Sequence, residues 1–243
     1  MPSAASYAEV SGLKNNGPDR PSRELAASVR AAGMFKRFDP GESVSSFSQV
    51  KSSQGRAIRA KLAELYPAIE PLLDDLLPKK DPILVAKCQN HVTMVLKDRE
   101  PLFFQVSASG EVWRARDHYS RRVSAPSLAP TAQIRDGPFY PTLRLVHSCP
   151  DVWPVWRTDK GAIPFVLGGA NVMAPGFVNK GGEMPVDLPV GNPVVVLADG
   201  KEHAMAIGQV KMTRDDITST KKGIAVEMMH FLNDGVWQTK RFD

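Results

Sequence analysis

The chain has 243 residues, of which 42% are hydrophobic and 23% are charged. These values are typical of a globular protein, and the length suits one large domain or two small ones. No run of 18 apolar residues occurs, which argues against a membrane-spanning helix, and the net charge of +5 does not by itself indicate nucleic-acid binding.

The first 33 residues lack the apolar core of a secretory signal and carry three acidic residues, which a mitochondrial presequence tends to avoid. The two cysteines, Cys88 and Cys149, lie far apart without a pairing pattern, as is usual in a reducing compartment. We therefore expect a cytoplasmic location. Because residues 1–33 are rich in Ser, Ala, Pro, Asn and Gly without a hydrophobic period, we expect a flexible extension there.

Residues 34–106 show the pattern of a small α+β domain. Apolar residues recur at helical spacing from Ser52 to Tyr66, where Pro67 ends the pattern. A second short helix is expected with Pro71 in its first turn and with Leu72, Leu73, Leu76 and Leu77 facing the core. Three strands are then expected at residues 83–87, 92–96 and 102–106. Two helices followed by an antiparallel sheet predict an α+β fold.

Residues 107–135 interrupt this pattern. They are rich in Ser, Ala, Pro and Arg, and residues 111–135 carry five basic and two acidic side chains. Such a composition predicts an inserted basic loop rather than a further domain. Residues 136–152 are expected to connect two domains and to include a short helix from Leu143 to His147.

Residues 153–243 alternate short strands with turns. A helix is expected from Ile163 to Val172. Strands are expected at residues 193–198, 204–211, 223–228 and 235–239, with a hairpin at Asp199-Gly200. One helix among short strands predicts a small mixed barrel. Residues 136–243 hold eleven basic and twelve acidic residues, a net charge of −1, so RNA binding there must depend on local geometry.

Motifs for catalysis are missing from the sequence. There is no Gly-rich phosphate loop, dinucleotide fingerprint, zinc-type His/Cys spacing or nucleophile elbow. The adjacent pairs Asp74-Asp75 and Asp215-Asp216 point their side chains apart, so they are better explained as solvated faces than as acid/base pairs. We expect no enzymatic activity, no metal site and no cofactor.

The most informative segment runs from Thr158 to Phe177. A helical projection places Phe165 on the flank opposite the expected core face, as a shield for a loop or an anchor for a partner. The expected core face consists of Ile163, Val166, Leu167 and Ala170.

Glycines in this segment lack a Cβ atom and permit another backbone to approach, or they serve tight internal packing. They are Gly161 at the expected helix start and Gly168-Gly169 within it. The nearby cations Lys160, Lys211 and Arg214 could contact phosphates, although isolated cations are more often simply solvated.

Ordered blocks along the chain carry a resemblance to a known family. They include residues 34–39, 66–71, 78–82, 102–104, 137–145, 159–162, 169–173 and 230–237. Together they resemble the malignant T-cell amplified sequence family of translation factors. The resemblance implies an N-terminal pre-PUA domain followed by a C-terminal PUA pseudo-barrel, within an α+β fold. Residues 1–33 and most of 107–135 depart from the family pattern.

The resemblance also implies a function. Members are non-catalytic RNA-binding factors that pair with density-regulated protein on the small ribosomal subunit, in alternative initiation, in reinitiation and in recycling with removal of deacylated tRNA. We assign partner binding to Phe165 and expect contacts to small-subunit rRNA and the tRNA acceptor end. The expected RNA-binding residues are Lys160, Gly161, Ala162, Gly168, Gly169, Asn171, Lys211 and Arg214. The expected ribosome-binding residues are Lys36, Arg37, Lys51, Arg56, Lys79 and Lys80.

Two alternatives remain open from the sequence. PUA domains accompany RNA-modifying enzymes, so the chain could be a subunit of an RNA-modification complex, although residues 34–140 offer no catalytic set. The near-neutral charge of residues 136–243 also permits an interaction scaffold that binds only protein.

Overall fold

The computed structural model describes residues 35–107 and 136–242. The expected extension at residues 1–33 lies outside the described residues, and so does the expected basic loop at 107–135, apart from Ser107. The described chain forms two five-stranded sheets with short helices, which matches the expected α+β class.

The first sheet is antiparallel throughout, with strands in chain order. Its strands are β1 (Val44–Gln49), β2 (Leu84–Cys88), β3 (Val92–Lys97), β4 (Glu100–Ser107) and β5 (Asp136–Pro141). Its helices are α1 (Pro40–Ser43), α2 (Ser52–Leu65) and α3 (Leu73–Leu76), and a 3₁₀ helix at Pro67–Leu72 precedes α3. The three expected strands and both expected helices are therefore confirmed.

Two edge strands of this sheet were not expected. The side chains of β1 are almost all exposed, so this Ser-rich strand lacks the apolar alternation that sequence patterns detect. Strand β5 pairs with β4, so residues 136–141 extend the first sheet instead of belonging to a connector. The connector contains α4 (Leu143–Ser148), which confirms the expected short helix and is capped by the Thr142 hydroxyl.

The second sheet is mixed. Its strands are β6 (Val155–Thr158), β7 (Val172–Met173), β8 (Pro193–Ala198), β9 (Ala206–Val210) and β10 (Ile224–Phe231), in the order β6-β8-β9-β10-β7. Strands β6 and β8 are parallel, and the other neighbours are antiparallel. Its helices are α5 (Ile163–Leu167), α6 (Pro175–Val178), α7 (Arg214–Thr220) and α8 (Gly235–Gln238).

The expected helix over residues 163–172 is too long. Helix α5 ends at Leu167, because Gly168 forms its C-cap and Gly169 follows with φ of +87°. Val172 then enters β7. As a result Val166 is buried, whereas Leu167 and Ala170 are exposed instead of facing the core.

The strand expected at residues 235–239 is also wrong. This segment forms α8, which begins where the Asp234 carboxylate accepts a hydrogen bond from the Trp237 N–H. Asp234 is therefore the N-cap of a helix whose first residue is Gly235.

The two halves share a continuous apolar core. Phe104 and Tyr140 of the first sheet belong to the same buried cluster as Ile207 and Met229 of the second. Two backbone hydrogen bonds also join the halves: Gly235 N–H to the Phe35 carbonyl at 2.7 Å, and Phe242 N–H to the Arg99 carbonyl at 2.8 Å. Within the described ranges, no helix is long and apolar enough to cross a membrane.

Candidate nucleic-acid interface

One end of the second sheet gathers exposed cations. Parallel strands β6 and β8 end at the same edge, so Asp159-Lys160 and Asp199-Gly200-Lys201 emerge side by side. The Asp199 N–H donates to the Thr158 carbonyl at 2.8 Å, and Lys160 Nζ lies 3.7 Å from Asp199 Oδ2. We call the cations at this end, Arg157, Lys160, Lys180 and Lys201, the basic edge.

The loop at residues 179–183 completes the basic edge. Asn179 Nδ2 donates to Asp159 Oδ2 at 2.7 Å. Gly181 has φ of +94°, and a Cβ atom there would lie 2.7 Å from the Asp199 carboxylate, so only glycine allows this approach. Lys180 lies between these two anchors and is exposed. Lys180 and Lys201 were not among the residues predicted from the sequence, although the Gly181-Gly182 pair next to Lys180 was a visible signal.

The cations of this edge are only partly neutralised. The Lys160 side chain is 66% exposed, and an exposed ion pair at 3.7 Å leaves its charge available to a ligand. Arg157 lies 3.9 Å from Glu183. Within the described part of the chain, Lys180 and Lys201 have no side-chain hydrogen bond or ion pair. The carboxylates of Asp159, Glu183 and Asp199 lie at the same edge, so what the edge offers a ligand is individual exposed lysines and not a strongly positive patch.

The start of the helical segment is closed by the protein itself. A 3₁₀ turn spans Lys160–Ala162, and the Asp159 carboxylate accepts a hydrogen bond from the Ala162 N–H at 3.0 Å. A Cβ atom on Gly161 would lie 3.2 Å from the same carboxylate. Of the three residues expected to contact RNA here, the exposed Lys160 side chain is the one with a charge to offer.

The glycine pair and Asn171 have structural roles in the fold. The N–H groups of Gly168 and Gly169 donate to carbonyls of α5, including that of Val166 at 2.9 Å. The Asn171 Oδ1 atom accepts a hydrogen bond from the Met228 N–H at 2.9 Å, which ties this turn to β10. These groups end α5 and start β7, so the two glycines act here in helix termination, Gly168 as the C-cap and Gly169 through its positive φ.

Lys211 and Arg214 lie at the other end of the second sheet. Lys211 follows the end of β9, which pairs with the beginning of β8. The basic edge lies beyond the other end of β8, and the six residues of that strand span about 17 Å. Lys211 Nζ lies 2.5 Å from the carboxylate of Glu227, whose side chain is 9% exposed. Lys211 is therefore paired with a nearly buried carboxylate and lies away from Lys160.

The expected ribosome-binding residues form two groups. Lys36 and Arg37 lie near the beginning of β1, where they line a pocket together with Asn90. The second group lies at the opposite end of β1, because Val50 N–H donates to the Ile83 carbonyl and so joins the start of α2 to the segment after α3. Its members are Lys51, Arg56, Lys79 and Lys80, all exposed.

Arg59, which was not among the predicted site residues, organises the second group. Its guanidinium donates to the carbonyls of Leu73 and Leu77 and to the carboxylate of Asp74. The hydrogen bond from Arg59 holds the pKa of Asp74 below its ordinary value. The ionised carboxylate then lies 3.4 Å from Lys79 Nζ, so Lys79 is partly paired.

Phe165 lies off the core, as its helical angle predicted. Its side chain is 67% exposed, more than that of any other large apolar residue in the described chain. A separate groove of about 430 Å³ lies on the other side of α5, where Ile163 and Leu167 line it together with Lys201, Glu202, His203 and Met205 of the β8–β9 loop. Among residues 35–107 and 136–242, no group of three His, Cys, Asp or Glu side chains is placed to hold a metal ion.

Comparison with known families assigns both halves. A family model described as "Pre-PUA-like domain" matches residues 38–113, and one described as "elF2D, PUA domain" matches residues 153–235. Among solved structures, a hypothetical protein from Pyrococcus horikoshii aligns with a TM-score of 0.56 at 20% identity, over 80% of this chain and 99% of that one. A conserved PUA domain protein from Thermoplasma acidophilum aligns with a TM-score of 0.51 at 18% identity, over 80% and 99% of the two chains. The expected pre-PUA and PUA folds are thereby confirmed.

Several curated proteins are similar over nearly their whole length. Malignant T-cell-amplified sequence 2 of Mus musculus is 40% identical over 209 residues, which is 86% of this chain and 99% of the relative. Translation machinery-associated protein 20 of Schizosaccharomyces pombe is 38% identical over 206 residues, 85% of this chain and 98% of the relative. The Drosophila melanogaster homologue of malignant T-cell-amplified sequence 1 is 41% identical over 209 residues, 85% of this chain and 98% of the relative. The chain therefore belongs to the malignant T-cell-amplified sequence family.

Proposed function

We propose that this protein is a non-catalytic RNA-binding factor of the cytoplasmic translation machinery. Membership of its family supports a role in translation, and the name of the Schizosaccharomyces pombe relative associates that protein with the translation machinery. The observation that carries RNA binding is the basic edge, where exposed cations of three separate chain segments meet at one end of the PUA sheet.

In its finer form, the proposal has the protein act on the small ribosomal subunit as a heterodimer with density-regulated protein. It takes part there in alternative initiation, in reinitiation and in recycling, where deacylated tRNA is removed. The support is the resemblance of the ordered sequence blocks to the family, together with the two groups of exposed cations in the pre-PUA domain.

We propose that the basic edge receives the tRNA acceptor end. A single-stranded end offers phosphates that can be reached from one side, and few cations are needed to hold it. Two observations support this assignment. The ion pair between Lys160 and Asp199 is long and exposed, at 3.7 Å, and Lys180 and Lys201 have no side-chain partner among the described residues.

Phe165 is proposed as an anchor for the protein partner. The support is that this large aromatic side chain is 67% exposed, because aromatic residues are enriched in protein interfaces relative to the rest of the surface. The same observation favours the second candidate function, a scaffold that binds only protein through this surface.

The experiment is a sucrose-gradient profile of tagged protein from cells. The proposal predicts a fraction that sediments with small subunits and shifts to lighter fractions after RNase treatment. A protein that sediments only in complexes resistant to RNase would support the protein scaffold instead. In that case Phe165 is the residue to substitute, because removal of its exposed side chain should dissociate those complexes.

A further inference from the structure

Two tight turns face each other across a pocket in the pre-PUA domain. The first is Phe35–Phe38, closed by a hydrogen bond from the Phe38 N–H to the Phe35 carbonyl at 3.2 Å. Phe35 is buried, so the two central residues of the turn, Lys36 and Arg37, are left at its exposed tip. The turn therefore presents two adjacent cations to the pocket, which has a volume of about 280 Å³.

The second turn is Gln89–Val92, between β2 and β3. Its Val92 N–H donates to the Gln89 carbonyl at 3.3 Å, and its central residues Asn90 and His91 have φ of 57° and 58°. This conformation is typical of a hairpin turn that accepts Asn readily. The Asn90 side chain is exposed on the pocket side opposite Lys36 and Arg37.

Both turns are held in place before any ligand arrives. The Phe35 carbonyl accepts a hydrogen bond from the Gly235 N–H of the PUA domain at 2.7 Å, and the Phe35 ring lies edge-on to Phe104. In the second turn, Gln89 N–H donates to the Ser43 carbonyl at 2.9 Å, and its amide donates to the Glu42 carbonyl at 2.8 Å. A preformed site loses less conformational entropy on binding.

The charge of the pocket is positive and uncompensated within the described residues. Neither Lys36 nor Arg37 has an ion pair or side-chain hydrogen bond there, and no carboxylate lines the pocket. The Cys88 thiol lies in its wall, and burial raises its pKa to about 11, so it carries no charge at neutral pH. The nearest carboxylate along the first turn, that of Asp39, accepts a hydrogen bond from the Gly41 N–H.

We propose that this pocket is a phosphate-binding site for one backbone phosphate of a single-stranded RNA segment. Lys36 and Arg37 neutralise the phosphate from one turn, and the Asn90 amide donates a hydrogen bond from the other. This inference rests on the proposed function for the choice of RNA over a free anion. It adds a defined site, built from two turns, to what otherwise is a diffuse electrostatic attraction.

The test uses the full chain and a fluorescein-labelled polyuridine RNA of about twelve nucleotides, with anisotropy measured over a range of potassium chloride concentrations. Lys36→Glu/Arg37→Glu should weaken RNA binding about tenfold or more, as expected for losing a hydrogen bond between charged groups. The slope of log K against log salt should also become shallower by about 0.7, the value for one phosphate on a single strand. The matched control is Lys221→Glu/Lys222→Glu, an exposed adjacent pair in the PUA domain with the same change of charge.

A second variant tests whether the pocket binds phosphate through a specific hydrogen bond from Asn90, in addition to the attraction by the charges of Lys36 and Arg37. Asn90→Gly removes the amide while keeping a residue that tolerates the positive φ, so the fold should be retained. We expect weaker RNA binding, by about threefold to tenfold, with an unchanged salt slope, because a neutral hydrogen bond is removed. Unchanged binding by Asn90→Gly, or equal losses in the Lys36/Arg37 and Lys221/Lys222 variants, would overturn the proposal.

Competition with inorganic phosphate distinguishes a site for an RNA backbone phosphate from a site for a free phosphate anion. If phosphate competes with RNA better than chloride at equal ionic strength, and only when Lys36 and Arg37 are present, the pocket recognises phosphate as proposed. If phosphate binds there while RNA affinity does not change in the variants, the RNA assignment is wrong. Failure of the wild-type chain to bind small subunits would instead refute the proposed function, and that measurement is made separately on the same samples.

Discussion

His230 and Asp234 form a hydrogen-bonded pair inside the protein, with Nδ1 of the imidazole 2.7 Å from Oδ2 of the carboxylate. Their side chains are 1% and 0% exposed. The imidazole lies edge-on to the rings of Phe35 and Phe104 from the first half of the chain. The pair therefore lies where the two domains meet, between the end of β10 and the start of α8.

Asp234 should be essential for stability. Its carboxylate accepts hydrogen bonds from His230 and from the backbone N–H groups of Phe231 and Trp237, the latter as the N-cap of α8. Asp234→Ala leaves these buried donors without partners, so we expect a loss of about 3 kcal/mol or more in the free energy of unfolding. Urea denaturation measures it. Asp234→Asn, which keeps an acceptor, should cost clearly less, and equal losses would contradict this explanation.

Gly235 should tolerate no side chain, because the turn of the pre-PUA domain lies directly against it. A Cβ atom there would lie 2.3 Å from the Phe38 carbonyl oxygen, which is backbone and cannot move aside cheaply. We expect Gly235→Ala to lower the free energy of unfolding by about 1 to 3 kcal/mol, as for overpacking. In the control Gly41→Ala, the closest atom is the tip of the exposed Asp39 side chain, so stability should change by less than about 0.5 kcal/mol.

Elements with a clear hydrophobic period could be predicted from the sequence. Helix α2 and strands β2 to β4 follow the expected bounds closely, because their apolar residues repeat at 3.6 or 2. The missed strand β1 lacks such a repeat, and two further errors fell where a helix cap decides the structure. Gly168 and Gly169 end α5 early, and Asp234 starts a helix in a segment that resembles a strand.

The candidate site was predictable only in part, because its residues meet through strand register. Lys160 and Lys201 lie at the same edge because β6 and β8 are parallel. Lys211 forms an ion pair with Glu227, which is 16 residues away in sequence, so no local sequence pattern indicates the pairing. The exposure of Phe165, by contrast, followed from its helical angle alone and is confirmed.

The cations after α3 should contribute to ribosome binding. Lys79 and Lys80 are exposed, and Lys79 is only partly paired with Asp74 at 3.4 Å. We expect Lys79→Glu/Lys80→Glu to weaken small-subunit binding and to reduce the salt dependence by about 0.7 to 0.9 for each phosphate that the variant no longer neutralises. Binding of the proposed partner, density-regulated protein, should stay unchanged, as measured by calorimetry. Small-subunit affinity equal to that of the Lys221→Glu/Lys222→Glu control would remove these residues from the interface.

Phe165 should matter for the partner and not for the fold. Since its side chain is 67% exposed, Phe165→Asp should leave the unfolding midpoint nearly unchanged. The proposed complex with density-regulated protein should weaken by about 2 kcal/mol or more, as for an aromatic hot spot. Val190→Asp, at another exposed apolar residue of the same domain, provides the control. Normal pairing by Phe165→Asp, or an unfolded variant, would show that the residue has a different role.

The central claim is that the pre-PUA domain contacts the small subunit while the PUA domain binds the tRNA acceptor end. The most direct test is a titration of purified protein, with and without the proposed partner, on small subunits and on deacylated tRNA. The wild type should bind both. Lys160→Glu/Lys180→Glu/Lys201→Glu should lose tRNA binding through its acceptor end while keeping most of its affinity for small subunits, because these lysines form the basic edge. The control Lys221→Glu/Lys222→Glu/Lys240→Glu, with the same change of charge, should retain both ligands. Wild-type protein that binds neither ligand, or a basic-edge variant that loses both equally, would show that the two domains do not divide RNA binding in this way.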